Sequence, residues 1–190
     1  MIGASAVVRL IDVLELRGVE YMLVGSLSSN LYGIPRSTKD ADFVLALPAS
    51  QMGQLARDLG EGFRLDPQIS FETLTGTTRR VIHSPHAHFL LETFQLSDDP
   101  FDQERFARRT RISIPLLGRV VPVPTAEDVV IMKLRWSRPK DLEDALGVLA
   151  VQGNRLDWPY LEKWTAAHGT RGRLDELKAK VADSGAEDVS

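Results

Sequence analysis

The chain of 190 residues contains no cysteine. Disulfides, zinc–thiolate sites and a cysteine nucleophile are therefore excluded, and a reducing, cytoplasmic setting is expected. No apolar run approaches the roughly 18–20 residues that a membrane span requires. Residues 1–10 lack a charged segment followed by an apolar stretch, so no signal peptide is expected. An excess of one charge is also missing. Lys and Arg total 23 against 26 Asp and Glu, a formal net charge of −3, which excludes a strongly basic nucleic-acid coat but leaves room for local basic patches. No internal repeat or low-complexity tract is present. What remains has ordinary globular composition, 43% hydrophobic and 26% charged. A chain of this length buries roughly 70% of its unfolded surface, enough for a core without staples.

Val7, Val8, Leu10, Ile11 and Leu14 recur at helical spacing, and Gly18 stands where that helix would close. Tyr21-Met22-Leu23-Val24 is a short apolar run that stops at Gly25-Ser26, with Ser26 the expected N-cap of a helix to about Leu31. Gly33, Ile34 and Pro35 break that helix. In the next extended segment Asp40 and Asp42 alternate with Ala41 and Phe43, and Pro48 opens a helix to about Leu59. Residues 63–94 read as interrupted strand, most clearly over 77–83 and 88–94. A loop at Asp98-Asp99-Pro100, a short helix over 101–108 and extended pieces at 112–114 and 120–121 follow. Beyond Pro124 the pattern is helical: Thr125 with Asp128 resembles a capping box opening 129–136, and 141–151 and 158–167 come next. From Gly169 the chain is polar, with Leu174, Leu177 and Val181 on one face, and is expected to be loosely held. The predicted fold class is α/β (α+β). A mixed β-sheet core flanked by helices occupies 1–122, a helical bundle 123–168 and a polar tail 169–190.

The chemistry concentrates between Val24 and Phe43. A strand that delivers the chain to Gly25-Ser26 at a helix N-terminus places backbone N–H groups and the positive end of the helix dipole where a phosphate is favoured. Gly25 admits close approach to the backbone and the Ser26 hydroxyl can donate. Residues i and i+2 of a strand share a face, so Asp40 and Asp42 project side by side, roughly 7 Å apart at their Cα atoms. Two carboxylates so placed repel unless a hard divalent cation lies between them. Alone, Gly-Ser after a strand is common and Asp-x-Asp is ordinarily a solvated strand face; together and in this order they are far more specific.

The stretch from Val24 to Phe43 resembles the polymerase-β-like nucleotidyltransferase superfamily, whose signature is a hydrophobic residue, Gly-Ser or Gly-Gly, a spacer, and Asp-hydrophobic-Asp-hydrophobic. Gly33, Arg36, Thr38, Asp40 and Asp42 match the Gly-x-x-Arg-x-Thr-x-Asp-x-Asp ending of its AbiEii-type and MenT-type toxin branch. Ser26 stands where that branch often has Gly, and Ala41 is a small version of the usual Ile. The resemblance extends more weakly to about Trp164. It implies a nucleotidyltransferase core with an NTP substrate and two Mg²⁺ ions held by Asp40, Asp42 and a third carboxylate, placed at Glu92, that is ligand or base for the incoming hydroxyl. It further implies phosphate contacts from Gly25, Ser26 and Lys133, with Arg36 and Thr38 sharing the strand face of Asp40 and touching phosphate or ordering the carboxylates. It points to tRNA as one acceptor and to a cognate antitoxin as a partner. A protein side chain or an antibiotic-like small molecule is the other acceptor class, and a silent binding partner the non-enzymatic alternative.

Each of these residues has a plainer reading too. Glu92 would be an exposed strand residue, Lys133 would snorkel from an apolar helix, and Asp141 and Asp144 beside Lys140 would form a helix-surface salt-bridge set. His83, His86 and His88 offer a metal pair with no obvious partner. Arg79-Arg80 and Arg105, Arg108, Arg109 and Arg111 are solvated faces or an RNA-contacting rim. Trp136, Trp158 and Trp164, at helical spacing beside Leu134 and Leu161, are expected in the core. Asp40, Asp42 and Glu92 equal the formal excess of three, so a metal-bound trio would leave the remainder neutral.

Overall fold

Alternation along the segment that carries Asp40 and Asp42 organises the larger part of the molecule. In a computed structural model, which describes residues 3–85 and 89–187, this segment is strand β2 (Asp40–Leu45). Ala41, Phe43 and Leu45 are buried on one face, while Asp40 and Asp42 are partly exposed on the other. β1 (Tyr21–Val24) pairs with it antiparallel, and β6 (Leu90–Gln95) pairs with it in parallel. β5 (Thr77–His83) follows antiparallel, edged by β3 (Arg64–Leu65) and β4 (Ser70–Glu72), so the order is β1-β2-β6-β5-β3 with β4 also on β5. In sequence α2 (Gly25–Tyr32) lies between β1 and β2, and α3 (Met52–Leu59) follows β2 behind a 3-10 turn (Ala49–Gln51).

α1 (Ala4–Leu16) buries Val7, Leu10, Ile11 and Leu14, and α3 buries Met52, Leu55, Ala56 and Leu59, the i, i+3, i+4, i+7 stripe of a core-facing helix. α1 and α3 pack together. Arg9 donates from Nε to the Leu59 carbonyl at 2.8 Å and from Nη2 to the Asp58 carbonyl at 2.7 Å, satisfying acceptors that the end of α3 leaves open. On the carboxylate face, Met22, Val24 and Val44 form a cluster with Phe106 of α4 (Pro100–Ala107). α4 starts where the sequence expects a loop to end: Asp99 caps it by accepting from the amides of Phe101 and Asp102, with Pro100 in the first turn. β7 (Thr110–Ile114) and β8 (Arg119–Val123) form a separate antiparallel pair.

By contacts the chain divides into two units, Met1–Leu27 with Ser37–Pro124, and Ser28–Arg36 with Thr125–Ser190. The second is helical: α5 (Ala126–Trp136), α6 (Pro139–Gln152), α7 (Trp158–Ala167) and α8 (Arg171–Glu187). Thr125 caps α5 as its sequence predicts, its hydroxyl accepting from the Asp128 amide at 3.3 Å. The division differs from the predicted one in two places. Ser28–Arg36 belongs with the helices, because Gly33 lies against the backbone of α6: a Cβ there would come within 2.8 Å of the Val148 nitrogen. Gly147 answers from the other side, where a Cβ would come within 3.2 Å of the Ile34 nitrogen. The expected polar tail is helix α8, which buries Leu174 and Leu177 and packs on α6 and α7. The three tryptophans are half-buried, not core. Arg138 stands over the Trp136 ring, Lys163 over Trp164 and Lys178 over Trp158, at 4.9, 4.8 and 4.4 Å from the ring centroids. Cationic neighbours make these positions amphipathic.

Candidate active site

Strand register builds the site. Asp42 is paired across the β1–β2 ladder with Val24, the last residue before Gly25, and across the β2–β6 ladder with Glu92. Paired residues share a face, so Asp40, Asp42 and Glu92 lie together on one side of the sheet, two rungs apart at most. Glu92 is in turn paired with Val81 of β5, which puts Arg79 and His83 on that same face.

Gly25 is required here for a reason apart from any phosphate. It opens α2 with φ +66°, a conformation that L side chains rarely adopt, and a Cβ at this position would come within 1.9 Å of Asp42 Oδ2. The glycine therefore makes the space that the Asp42 carboxylate fills at the start of the helix. Ser26 follows in the first turn of α2, largely buried, so the helix begins two residues earlier than an N-cap at Ser26 predicts. The Thr38 hydroxyl donates to Asp40 Oδ1, which fixes that carboxylate from the strand's own approach.

The donor set of Asp40 and Asp42, hard oxygens on one face, suits a hard divalent cation. Glu92 has a partner of its own on that face: its Oε2 accepts from Arg79 Nη1 at 3.0 Å. Among the described residues no group of three or more His, Asp or Glu side chains is gathered closely enough to hold a metal ion. The predicted trio is thus brought to one face and one pair of rungs without being closed into a three-carboxylate set, and the Arg79 ion pair is the physical reason on the Glu92 side.

Arg36 and Lys133 have other partners. Arg36 precedes β2 instead of sharing its face, and it belongs to the helical unit, where it binds Asp144 in a fork (Nε–Oδ1 2.6 Å, Nη2–Oδ2 2.9 Å). Lys133 neither snorkels nor reaches outward. Its buried ammonium lies 3.1 Å from Asp141 Oδ1 and 2.6 Å from Asp144 Oδ2. Arg138 closes the network on Asp141, and Ser29 of α2 donates to Asp144 at 3.4 Å. Asp141 is 0% exposed, so these carboxylates are not the surface salt-bridge set their i, i+3 spacing also allows. Burial alone would push both carboxyls up. The Arg138 hydrogen bond and the Lys133 charge outweigh it at Asp141, the Arg36 and Lys133 hydrogen bonds at Asp144, and both are held below the ordinary carboxylate value.

The basic spots are largely matched by acids. Arg105 is buried in an ion pair with Asp102, Arg109 meets Glu20 and Arg111 meets Glu15. His83 Nε2 lies 3.0 Å from Asp66 Oδ2, while His86 and His88 lie outside the described residues. Sequence reasoning missed Arg79 and Arg138 as partners of site and network carboxylates. The alternation of β5 puts Arg79 on a definite face, but only the register with β6 says whose face that is.

No family model matches this chain, and no curated protein matches it in sequence. Solved structures do match it. The antibiotic-resistance factor ANT(2'')-Ia, determined in solution, is 15% identical and superposes with a TM-score of 0.59 over 93% of this chain and 95% of its own. A crystal structure of ANT(2'')-Ia in complex with adenylyl-2''-tobramycin is 16% identical with a TM-score of 0.57, covering 88% of this chain and 97% of that one. An antigenic nucleotidyltransferase-like protein from Paracoccidioides brasiliensis is 17% identical with a TM-score of 0.53, covering 92% and 91%. At these identities the likeness establishes the fold, a nucleotidyltransferase fold over nearly the whole chain.

Proposed function

We propose that this chain is a nucleotidyltransferase that moves a nucleoside monophosphate from an NTP to an acceptor hydroxyl. The observation that carries the reading is the junction of Gly25 and Asp42: the glycine at a helix start is shaped around a carboxylate that shares its face with Asp40 and Glu92. In the reaction the acceptor oxygen bonds to the α-phosphorus, the bond from that phosphorus to the bridging oxygen of the β-phosphate breaks, and pyrophosphate leaves. Mg²⁺, when bound, neutralises charge developing on the phosphoryl oxygens. In this reading its ligands are Asp40 and Asp42, joined by Glu92 once the cation is bound. The first turn of α2, with Gly25 and Ser26, offers backbone N–H groups to the terminal phosphates. Thr38 keeps Asp40 oriented, and Glu92 takes the proton of the acceptor hydroxyl. Arg36 and Lys133 hold Ser28–Arg36 against α5 and α6 through Asp144 and do not contact phosphate in this reading.

For the acceptor, the likeness to ANT(2'')-Ia, a protein seen with an adenylylated aminoglycoside, favours a hydroxyl of a small polar molecule. The motif resemblance to AbiEii-type toxins favours tRNA and a cognate antitoxin. The matching of Arg105, Arg109 and Arg111 to acidic partners weighs towards the small molecule, because a polyanion needs cations left over. Purified protein with Mg²⁺ and each labelled NTP, offered tRNA, aminoglycosides or cell extract, decides among them. Label on an aminoglycoside supports the first reading, label on tRNA the second. Transfer to none of them, with no nucleotide binding by calorimetry, would leave a silent partner protein.

A further inference from the structure

We propose that Arg79 is a displaceable counter-ion of the site: it holds Glu92 when no divalent cation is bound and yields Glu92 to the cation when one arrives. The inference rests on the reading of Asp40 and Asp42 as cation ligands and adds a regulator of that site. Arg79 stands two residues before Val81, the register partner of Glu92, so it approaches the carboxylate diagonally from the same sheet face. The contact is a single one, Nη1 to Oε2 at 3.0 Å, not the two-pronged fork that Arg36 and Arg138 make in the helical unit. The exposures differ in a way that says which partner moves. The Arg79 side chain is 38% exposed and that of Glu92 15%, so the guanidinium has a path into solvent while the carboxylate stays in the rung beside Asp42. A half-exposed ion pair is a weak latch, and a divalent cation drawn by Asp40 and Asp42 is a strong competitor for the same oxygen.

Binding of Mn²⁺ alone, followed by calorimetry or by loss of the free-ion electron paramagnetic resonance signal, tests this without any turnover. Four proteins are compared: the natural chain, R79Q, E92Q and the double variant, with thermal unfolding run on each. Removing the competitor should tighten Mn²⁺ binding by about two- to fivefold in R79Q, the range expected for a partly exposed pair. With Glu92 already replaced, removing Arg79 should change nothing. Equal affinity of R79Q and the natural chain overturns the proposal. So does an equal gain in the E92Q background, which would mark a general charge effect. If none of the four takes up Mn²⁺, the cation reading of Asp40 and Asp42 falls and this inference falls with it. Arg79→Met provides the same comparison should R79Q fold poorly.

Discussion

Asp141 and Asp144 in the helical unit are buried, and they share Lys133, Arg36 and Arg138 among them, three cations for two acids. On the sheet, Asp40 is partly exposed and held by a neutral hydroxyl, Asp42 sits in a space left by a glycine, and Glu92 has a single contact with a half-exposed arginine. The residue types and sequence spacings are similar: i, i+2 on a strand and i, i+3 on a helix. What separates the two groups is the stock of countercharge and the access to water. Buried carboxylates must be saturated by their own protein or the desolvation cost goes unanswered. Under the proposed function the sheet carboxylates keep some access to a ligand, and Asp40 and Glu92 are only partly buried.

That contrast can be broken by moving charge in either group. If the proposed function holds, Asp42→Asn should lower nucleotidyl transfer on the order of 10³-fold while shifting the thermal midpoint little, because it keeps the side chain's size and removes only its charge; a steady-state assay beside a melting curve checks both. Lys133→Met should do the reverse in kind, costing about 3–5 kcal/mol of unfolding free energy by urea titration, since it takes one of two cationic partners from each of two buried carboxylates. Gly25→Ala joins the two effects. The strained backbone costs about 1–3 kcal/mol and the new Cβ displaces the Asp42 carboxylate, so stability and transfer should fall together.

The pH response sharpens the comparison further. Folded Asp141 and Asp144 titrate below their ordinary value of 3.8, so the unfolded chain binds more protons than the folded one between the two values. Their contribution is complete above the ordinary value and is lost as pH falls through the depressed ones. Urea midpoints should therefore hold steady from neutral pH to about 5 and decline below about 4. Replacing both aspartates with asparagine should flatten that decline. The smallest effect is expected at the cap of α5, where Thr125→Ala should cost about 1 kcal/mol and leave the site untouched.

Local chemistry was legible in the sequence, and register was not. Alternation put Asp40 and Asp42 on one face, apolar spacing located α1, and Thr125 marked the start of α5, because each depends on neighbours within four residues. Glu92 could be placed on its strand by pattern, yet its opposition to Asp42 and its pairing with Arg79 come from two ladders between distant segments. By sequence Arg36 falls on the strand face of Asp40, four residues before it, whereas its fork to Asp144 spans more than a hundred residues. Gly33 read as a helix breaker; its tight packing against α6 needs Gly147, which nothing near it in sequence foretells. The predicted tail carried its own correction in Leu174 and Leu177, a two-residue stripe too short to outweigh the polar composition around it.

The membership of Ser28–Arg36 in the helical unit has a consequence for how this protein can be taken apart. A split at Pro124 would leave that stretch behind on the amino-terminal fragment, stripped of Gln152, which donates to the Tyr32 carbonyl at 2.6 Å, and of the α6 backbone that Gly33 abuts. The carboxyl-terminal fragment would lose Arg36 and keep Asp144 short of a partner. Grafting a helical half from another protein is subject to the same constraint. The exchange has to carry nine residues from within the amino-terminal half as well, so the molecule recombines in interleaved pieces and not as two cassettes.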